Sequence, residues 1–122
     1  MTQKIKTFTD LLAWQRGRDV TLAIYQITDK YPPKEIYSLT NQMRRAAVSV
    51  ASNIAEGFAR NSKLEKKQFY TTAKSSLVEL QNQLIISMDI GYLNRKNYQK
   101  VYNLTIQCSK LLTGLIRSIT NK

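Results

Sequence analysis

Apolar positions along the chain recur at steps of three and four, with polar residues between them, so the pattern predicts helices and no strands. Four stretches carry it. In the first, Ala13, Gly17, Val20, Ile24, Ile27 and Tyr31 form one stripe. Thr9 stands as its N-cap, and Asp10 places negative charge where the helix dipole favours it. Trp14 and Tyr25 fall off that stripe, and packing within or between subunits suits them better than contact with a base. Pro32 and Pro33 end the helix, because proline cannot continue the backbone ladder. The same prolines suit the first turn of the next one.

The second stretch, Leu39 to Arg60, is the most specific part of the chain. At ~100° per residue, Ile36, Leu39, Met43, Ala46, Ala47, Val50, Ile54 and Phe58 share one arc. Gln42, Arg45, Ser49, Ser52, Asn53, Glu56 and Arg60 share the opposite one. An ordinary surface helix shows long Lys and Glu side chains to water. This face carries short Ser and Asn between single charges, and such a face can pack closely on a backbone or a ligand. Gly57 marks either the helix stop or a tight crossing.

Ser62 and Glu65 make a capping box that opens the third helix. Phe69, Tyr70, Ala73, Leu77, Leu80, Leu84 and Met88 share its apolar face, and Gly91 is the expected left-handed stop. Asn94 caps the fourth. Its Tyr98, Val101, Thr105, Cys108, Leu112, Leu115 and Ile119 form an unbroken heptad seam, and Cys108 inside that seam reads as a small buried hydrophobe. The expected fold is all-α: an antiparallel up-down-up-down four-helix bundle with helices over roughly 9–30, 35–58, 62–90 and 94–120, joined by short connections in a single domain, 1–122.

Charge changes this picture most. Lys and Arg number 19 against 8 acids, a net charge of +11 with a pI near 10.0. An excess of this size points to a polyanionic partner, most often nucleic acid. The blander alternative is a basic surface that only aids solubility. From Gly91 to Lys122 there are six basic residues and no acid: Arg95, Lys96, Lys100, Lys110, Arg117 and Lys122. Arg95 and Lys96 stand in the first turn of the fourth helix, where cations oppose the dipole by ~0.3–1 kcal/mol each. That placement suits phosphate better than it suits the helix. In a bundle of this topology Lys34 shares that end, with Lys30 close by. A second cluster, Arg60, Lys63, Lys66 and Lys67 with Lys4 and Lys6, lies at the other end. No base-reading motif is present, so binding is expected to be led by the phosphate backbone.

Other chemistry is sparse. There is no histidine and only one cysteine, which removes the commonest metal ligand and general base and excludes an internal disulfide. No glycine-rich phosphate loop or paired-carboxylate motif occurs, so no catalysis, metal or cofactor is expected. The chain has neither an apolar signal core nor a run long enough to span a membrane, and a soluble cytoplasmic protein is expected. Arg45, Ser49, Asn53 and Glu56 remain open between three roles: a polar network that fixes contact between helices or subunits, a ligand site, and an active site. The small residues around them favour the first.

The run Arg44-Arg45-Ala46, then Ser49, then Asn53-Ile54-Ala55-Glu56-Gly57, resembles the bacterial four-helix-bundle proteins, also called 23S ribosomal RNA intervening-sequence proteins. Phe8, Asp10, Leu11 and Trp14 extend the likeness at the start, and Pro33, Leu39 and Gln42 extend it into the second helix. Phe69, Ala73, Ser76, Glu79 and Leu80 follow in the third, and Gly91-Tyr92-Leu93 in the last turn. The resemblance implies similarity to the accessory variability protein of diversity-generating retroelements. That protein is a basic homopentamer that binds nucleic acid and a reverse transcriptase. A homo-oligomer that binds nucleic acid, RNA before DNA, is therefore expected. The alternative is a scaffold that docks an enzyme such as a reverse transcriptase. The resemblance supplies no catalytic residues.

Overall fold

A computed structural model describes residues 4–120. Four long helices account for most of them: α1, Leu12–Thr28; α2, Leu39–Phe58; α3, Lys63–Ile90; and α4, Arg95–Thr120. Short 3-10 turns at Phe8–Asp10 and Pro33–Glu35 lead into α1 and α2. Each helix lies beside the next in sequence, and α1 also lies beside α4, while the diagonal pairs make no close backbone approach. The pairings between neighbours run in opposite order. Thr21 meets Ala47 and Thr28 meets Arg44 between α1 and α2. Ser49 meets Ser76 and Met43 meets Ser87 between α2 and α3. Lys74 meets Thr113 and Gln81 meets Thr105 between α3 and α4.

The apolar stripes turn inward as the periodicity predicts. Val20, Ile24, Met43, Val50, Ile54, Leu77, Leu80, Leu84, Val101, Cys108 and Leu112 are all buried in one continuous core. Each fully buried aliphatic side chain contributes roughly 1.5–3 kcal/mol relative to exposure. Thr28, Thr40, Gln83 and Ser87 are buried among them, outside the predicted stripes. Thr28 is accommodated because its hydroxyl donates to the Ile24 carbonyl at 2.6 Å and accepts from Arg44 Nε at 3.0 Å. Trp14 packs within the chain, edge-on to Phe8.

Several boundaries differ from expectation. The first helix, expected over 9–30, is shorter because Asp10 does not sit in its first turn. The Asp10 carboxylate folds back to accept from the Thr7 and Lys6 N–H groups at 3.0 and 2.8 Å. Leu11 is then extended and α1 starts at Leu12; Thr7, not Thr9, precedes the turn. The second helix, expected from 35, starts at Leu39, because Pro33–Glu35 closes a separate turn and Ser38 breaks the helical path. Ile36 is consequently half-exposed instead of on the apolar arc. The later signals hold as expected. Ser62 Oγ accepts from the Glu65 N–H at 3.2 Å, which is one half of the expected capping box; Gly91 is left-handed at φ 100°, and Asn94 Oδ1 accepts from the Asn97 N–H at 2.8 Å. Lys122 lies outside the described residues.

Gly57 is a tight crossing. A Cβ there would stand 2.7 Å from Tyr70 Cε1 and 3.0 Å from Phe69 Cβ, and Tyr70 is itself buried. Gly114, by contrast, faces open space in α4. Gly57→Ala is therefore expected to destabilise the fold by about 1–2 kcal/mol, overpacking outweighing the gain in helix propensity. Gly114→Ala should instead stabilise it by about 0.5–1 kcal/mol. Urea unfolding of the two variants checks this, and a Gly57→Ala midpoint at or above the wild type would refute the crossing.

Candidate nucleic-acid interface

The end of the bundle where α2 and α4 begin is assembled by one long-range hydrogen bond. Tyr92 Oη donates to Glu35 Oε2 at 2.7 Å, tying the turn before α4 to the turn before α2. Ser38 Oγ donates to the other Glu35 oxygen at 2.6 Å. These two donors, Ser38 before Tyr92, hold the Glu35 carboxyl below the usual carboxylate range, so it is ionised at neutral pH. The Tyr31 and Tyr92 rings pack 5.3 Å apart beneath it. This frame presents Lys34, Arg95, Lys96 and Lys100, all exposed, with Lys30 alongside. None of the five makes an ion pair or side-chain hydrogen bond with another described residue. A cleft of about 320 Å³ opens between α1 and α4 there, bordered by Gln26, Lys30, Asn94, Asn97 and Lys100.

Such a cluster costs the fold a little. Two like charges 10 Å apart in water repel by about 0.4 kcal/mol, and Arg95 and Lys96 also oppose the α4 dipole. A phosphate backbone laid across this end relieves both terms at once. Asn94 already caps one N–H of the first turn of α4, that of Asn97, and Arg95 and Lys96 stand exposed beside the rest.

The other end is different, and two of its predicted contacts are already occupied. Lys66 Nζ donates to the Phe58 and Gly57 carbonyls at 2.8 and 3.3 Å and lies over the Phe58 ring. It closes the C-terminus of α2, where a cation complements the dipole. Arg60 pairs with Glu56 at 2.8 Å, its guanidinium stacked on Phe69. Lys63 and Lys67, with Lys4 and Lys6, remain exposed. At the α2–α3 turn Arg60 and Lys66 thus have partners within the fold, which the exposed Lys63 and Lys67 lack among the described residues.

The polar face of α2 divides. Ser49 Oγ and Ser76 Oγ lie 2.9 Å apart across the α2–α3 contact, and Asn53 Nδ2 donates to Ser49 Oγ and to its carbonyl. This part is a polar contact between helices. Glu56 does not join it: its partner is Arg60, one turn on. Arg45 is exposed at the rim of a shallow depression shared with Tyr25, Arg44 and Val48, where Arg44 covers the Tyr25 ring at 4.8 Å. The expected four-residue network is therefore a Ser49–Asn53–Ser76 cluster with Arg45 and Glu56 outside it. The cluster's hydroxyls are hydrogen-bonded to each other and to the Asn53 amide. The remaining reactive group, Cys108, is buried, and burial pushes its thiol up to about 12. Among the described residues no cluster of His, Cys, Asp or Glu could hold a metal, and no helix is long and apolar enough to cross a membrane.

One residue escaped the sequence reading. Tyr37, 92% exposed, stands on the turn between Glu35 and α2. Its signal was there in outline: an aromatic off every apolar stripe, three residues from Lys34.

The model of the 23S rRNA-intervening sequence protein family matches residues 9–114. No curated protein matches the chain. A crystal structure of a protein of unknown function from the S23 ribosomal protein family of Bacteroides thetaiotaomicron superposes with a TM-score of 0.80. At 18% identity, over 87% of this chain and 96% of that one, it shares the fold. The match over nearly the whole helical core establishes that the chain belongs to the 23S rRNA-intervening sequence protein family.

Proposed function

We propose that this chain is a non-enzymatic, single-domain, antiparallel up-down-up-down bundle of the cytoplasm that binds RNA through its phosphates. The observation that carries the reading is the set of five exposed cations, Lys30, Lys34, Arg95, Lys96 and Lys100, that do no work inside the fold. Cations that serve the fold are recognisable here by their partners, as Lys66 and Arg60 are. The family description names a ribosomal RNA intervening sequence, which favours RNA over DNA. Contacts of this kind position a backbone and carry little sequence information.

The same reading includes assembly with further copies of the chain, a pentamer by resemblance. Supporting it is the outward face of α3, where Val78, Ile85, Ile86 and Ile90 are exposed. Between Ser75 and Ile90 that helix carries Glu79 and Asp89 and no cation, so copies of a +11 chain can meet there without their cations in opposition. Light scattering should give about 70 kDa for five chains of 14.1 kDa, and Val78→Glu should lower that mass. A wild-type mass of one chain would contradict assembly.

Binding of a labelled single-stranded RNA should weaken steeply with salt. Five phosphate contacts give a log–log slope of about −3.5 and a loss of about 100-fold between 50 and 200 mM. Each charge removed, as in Lys34→Glu, Arg95→Glu or Lys96→Glu, should flatten that slope by about 0.7 and weaken every RNA sequence alike. Absence of binding at low salt, or affinity indifferent to salt, would refute the reading.

A further inference from the structure

Exposed apolar side chains are ordinary when they occur singly, so the exposure of Tyr37 is informative only with what surrounds it. Three observations converge. First, at 92% it is the most exposed large hydrophobic side chain among the described residues, the next being Leu64 at 67%. An aromatic ring so open adds almost nothing to the packing of the bundle. Second, the backbone beneath it is clamped. The Glu35 and Ser38 N–H groups donate to the Pro32 and Glu35 carbonyls at 2.9 and 3.0 Å. The Glu35 carboxylate accepts from both Ser38 and Tyr92, and Pro32 and Pro33 fix the entry. Third, it shares its turn with an exposed cation and with the tie to the start of α4. Tyr37 stands two residues from Glu35, which Tyr92 joins to the Arg95–Lys96 turn, and three residues from Lys34. The acid on its own turn, Glu35, has both oxygens engaged by donors, which lowers its repulsion toward an incoming phosphate.

We propose that Tyr37 is a base-stacking platform that makes the basic end select single-stranded over double-stranded RNA. The inference rests on the phosphate-binding reading above and adds to it. Every base has a π-face, so stacking on an aromatic ring is tolerant of sequence, but it requires an unpaired base. A duplex keeps its faces stacked and offers this end only phosphates. The fixed turn holds the Tyr37 backbone in place before the strand arrives, so the ordering cost on binding is confined to the side chain's own torsions. Phosphate contacts from Lys34, Arg95 and Lys96 then bring the strand to the ring, and the ring discriminates.

The test compares wild type, Tyr37→Ala, Tyr37→Trp and the triple variant Lys34→Glu/Arg95→Glu/Lys96→Glu. Each is titrated with a single-stranded RNA of mixed sequence and with a duplex of the same length. Tyr37→Ala should bind the single strand about 5- to 100-fold more weakly, with the salt slope unchanged and duplex affinity equal to wild type. Tyr37→Trp should retain the preference. Thermal melting of Tyr37→Ala should match the wild type, because the ring packs on nothing. Single-strand affinity unaltered in Tyr37→Ala but lost in the triple variant would overturn the stacking role and leave the phosphate reading standing. Equal weakening on both RNAs would also overturn it, as would a drop in assembly mass with RNA affinity intact, which would mark the ring as a protein contact. A wild-type chain that binds neither RNA at low salt would remove both readings.

Discussion

Gly57 lets the Tyr70 ring lie directly against the backbone of α2, and the rest of the bundle is arranged around that approach. Ala46, Ala47 and Ala73 keep the neighbouring layers thin, so α2 and α3 meet closely enough for two serine hydroxyls to touch across the contact. Gly17 plays the matching part on α1, where a Cβ would stand 3.3 Å from Val50. Close helices leave little room between them for long charged side chains, though Arg44 and Lys74 each bond across a helix contact. The cations are pushed to the ends and outer faces, and there they meet different fates.

At the α2–α3 turn the fold itself uses two of them, Lys66 and Arg60, and leaves Lys63 and Lys67 exposed. Lys66 closes the carbonyl end of α2, and Arg60 is held between Glu56 and Phe69. At the opposite end the fold uses Glu35 as its tie, with Tyr92 and Ser38 as donors, and leaves the cations unpaired. The asymmetry is one of employment, since both ends are basic. It separates charge that stabilises the bundle from charge available to a partner. Total charge alone cannot make that distinction, because a lysine on a helix carbonyl counts the same as a lysine in water.

The helices and their core register were legible in the sequence because burial imposes a strict period. Val20, Ile24, Leu77, Leu84 and Leu112 are inside for the same reason that they recur at three and four. The lead-ins to α1 and α2 were not legible. The turn at Pro33–Glu35 is braced by a hydrogen bond spanning 57 positions, and no local pattern announces such a partner. Thr28 and Ser87 escaped because a buried polar residue satisfied by a nearby atom leaves no apolar signal. The short side chains on the Ser49–Asn53 side of α2 mark a face able to pack closely, but which residues join the contact depends on the register of α3. Tyr37 was missed because stripe-based reading attends to aromatics that pack, and this one does not.

The proposed function requires that single-stranded RNA lie across the end where α2 and α4 begin. Hydrogen–deuterium exchange of the assembled protein, with and without a short single-stranded RNA at low salt, tests it most directly. The account predicts slowed exchange concentrated in the segments 31–38 and 91–100. Protection confined to segment 61–67, or to the outward face of α2 around Arg45, would contradict it.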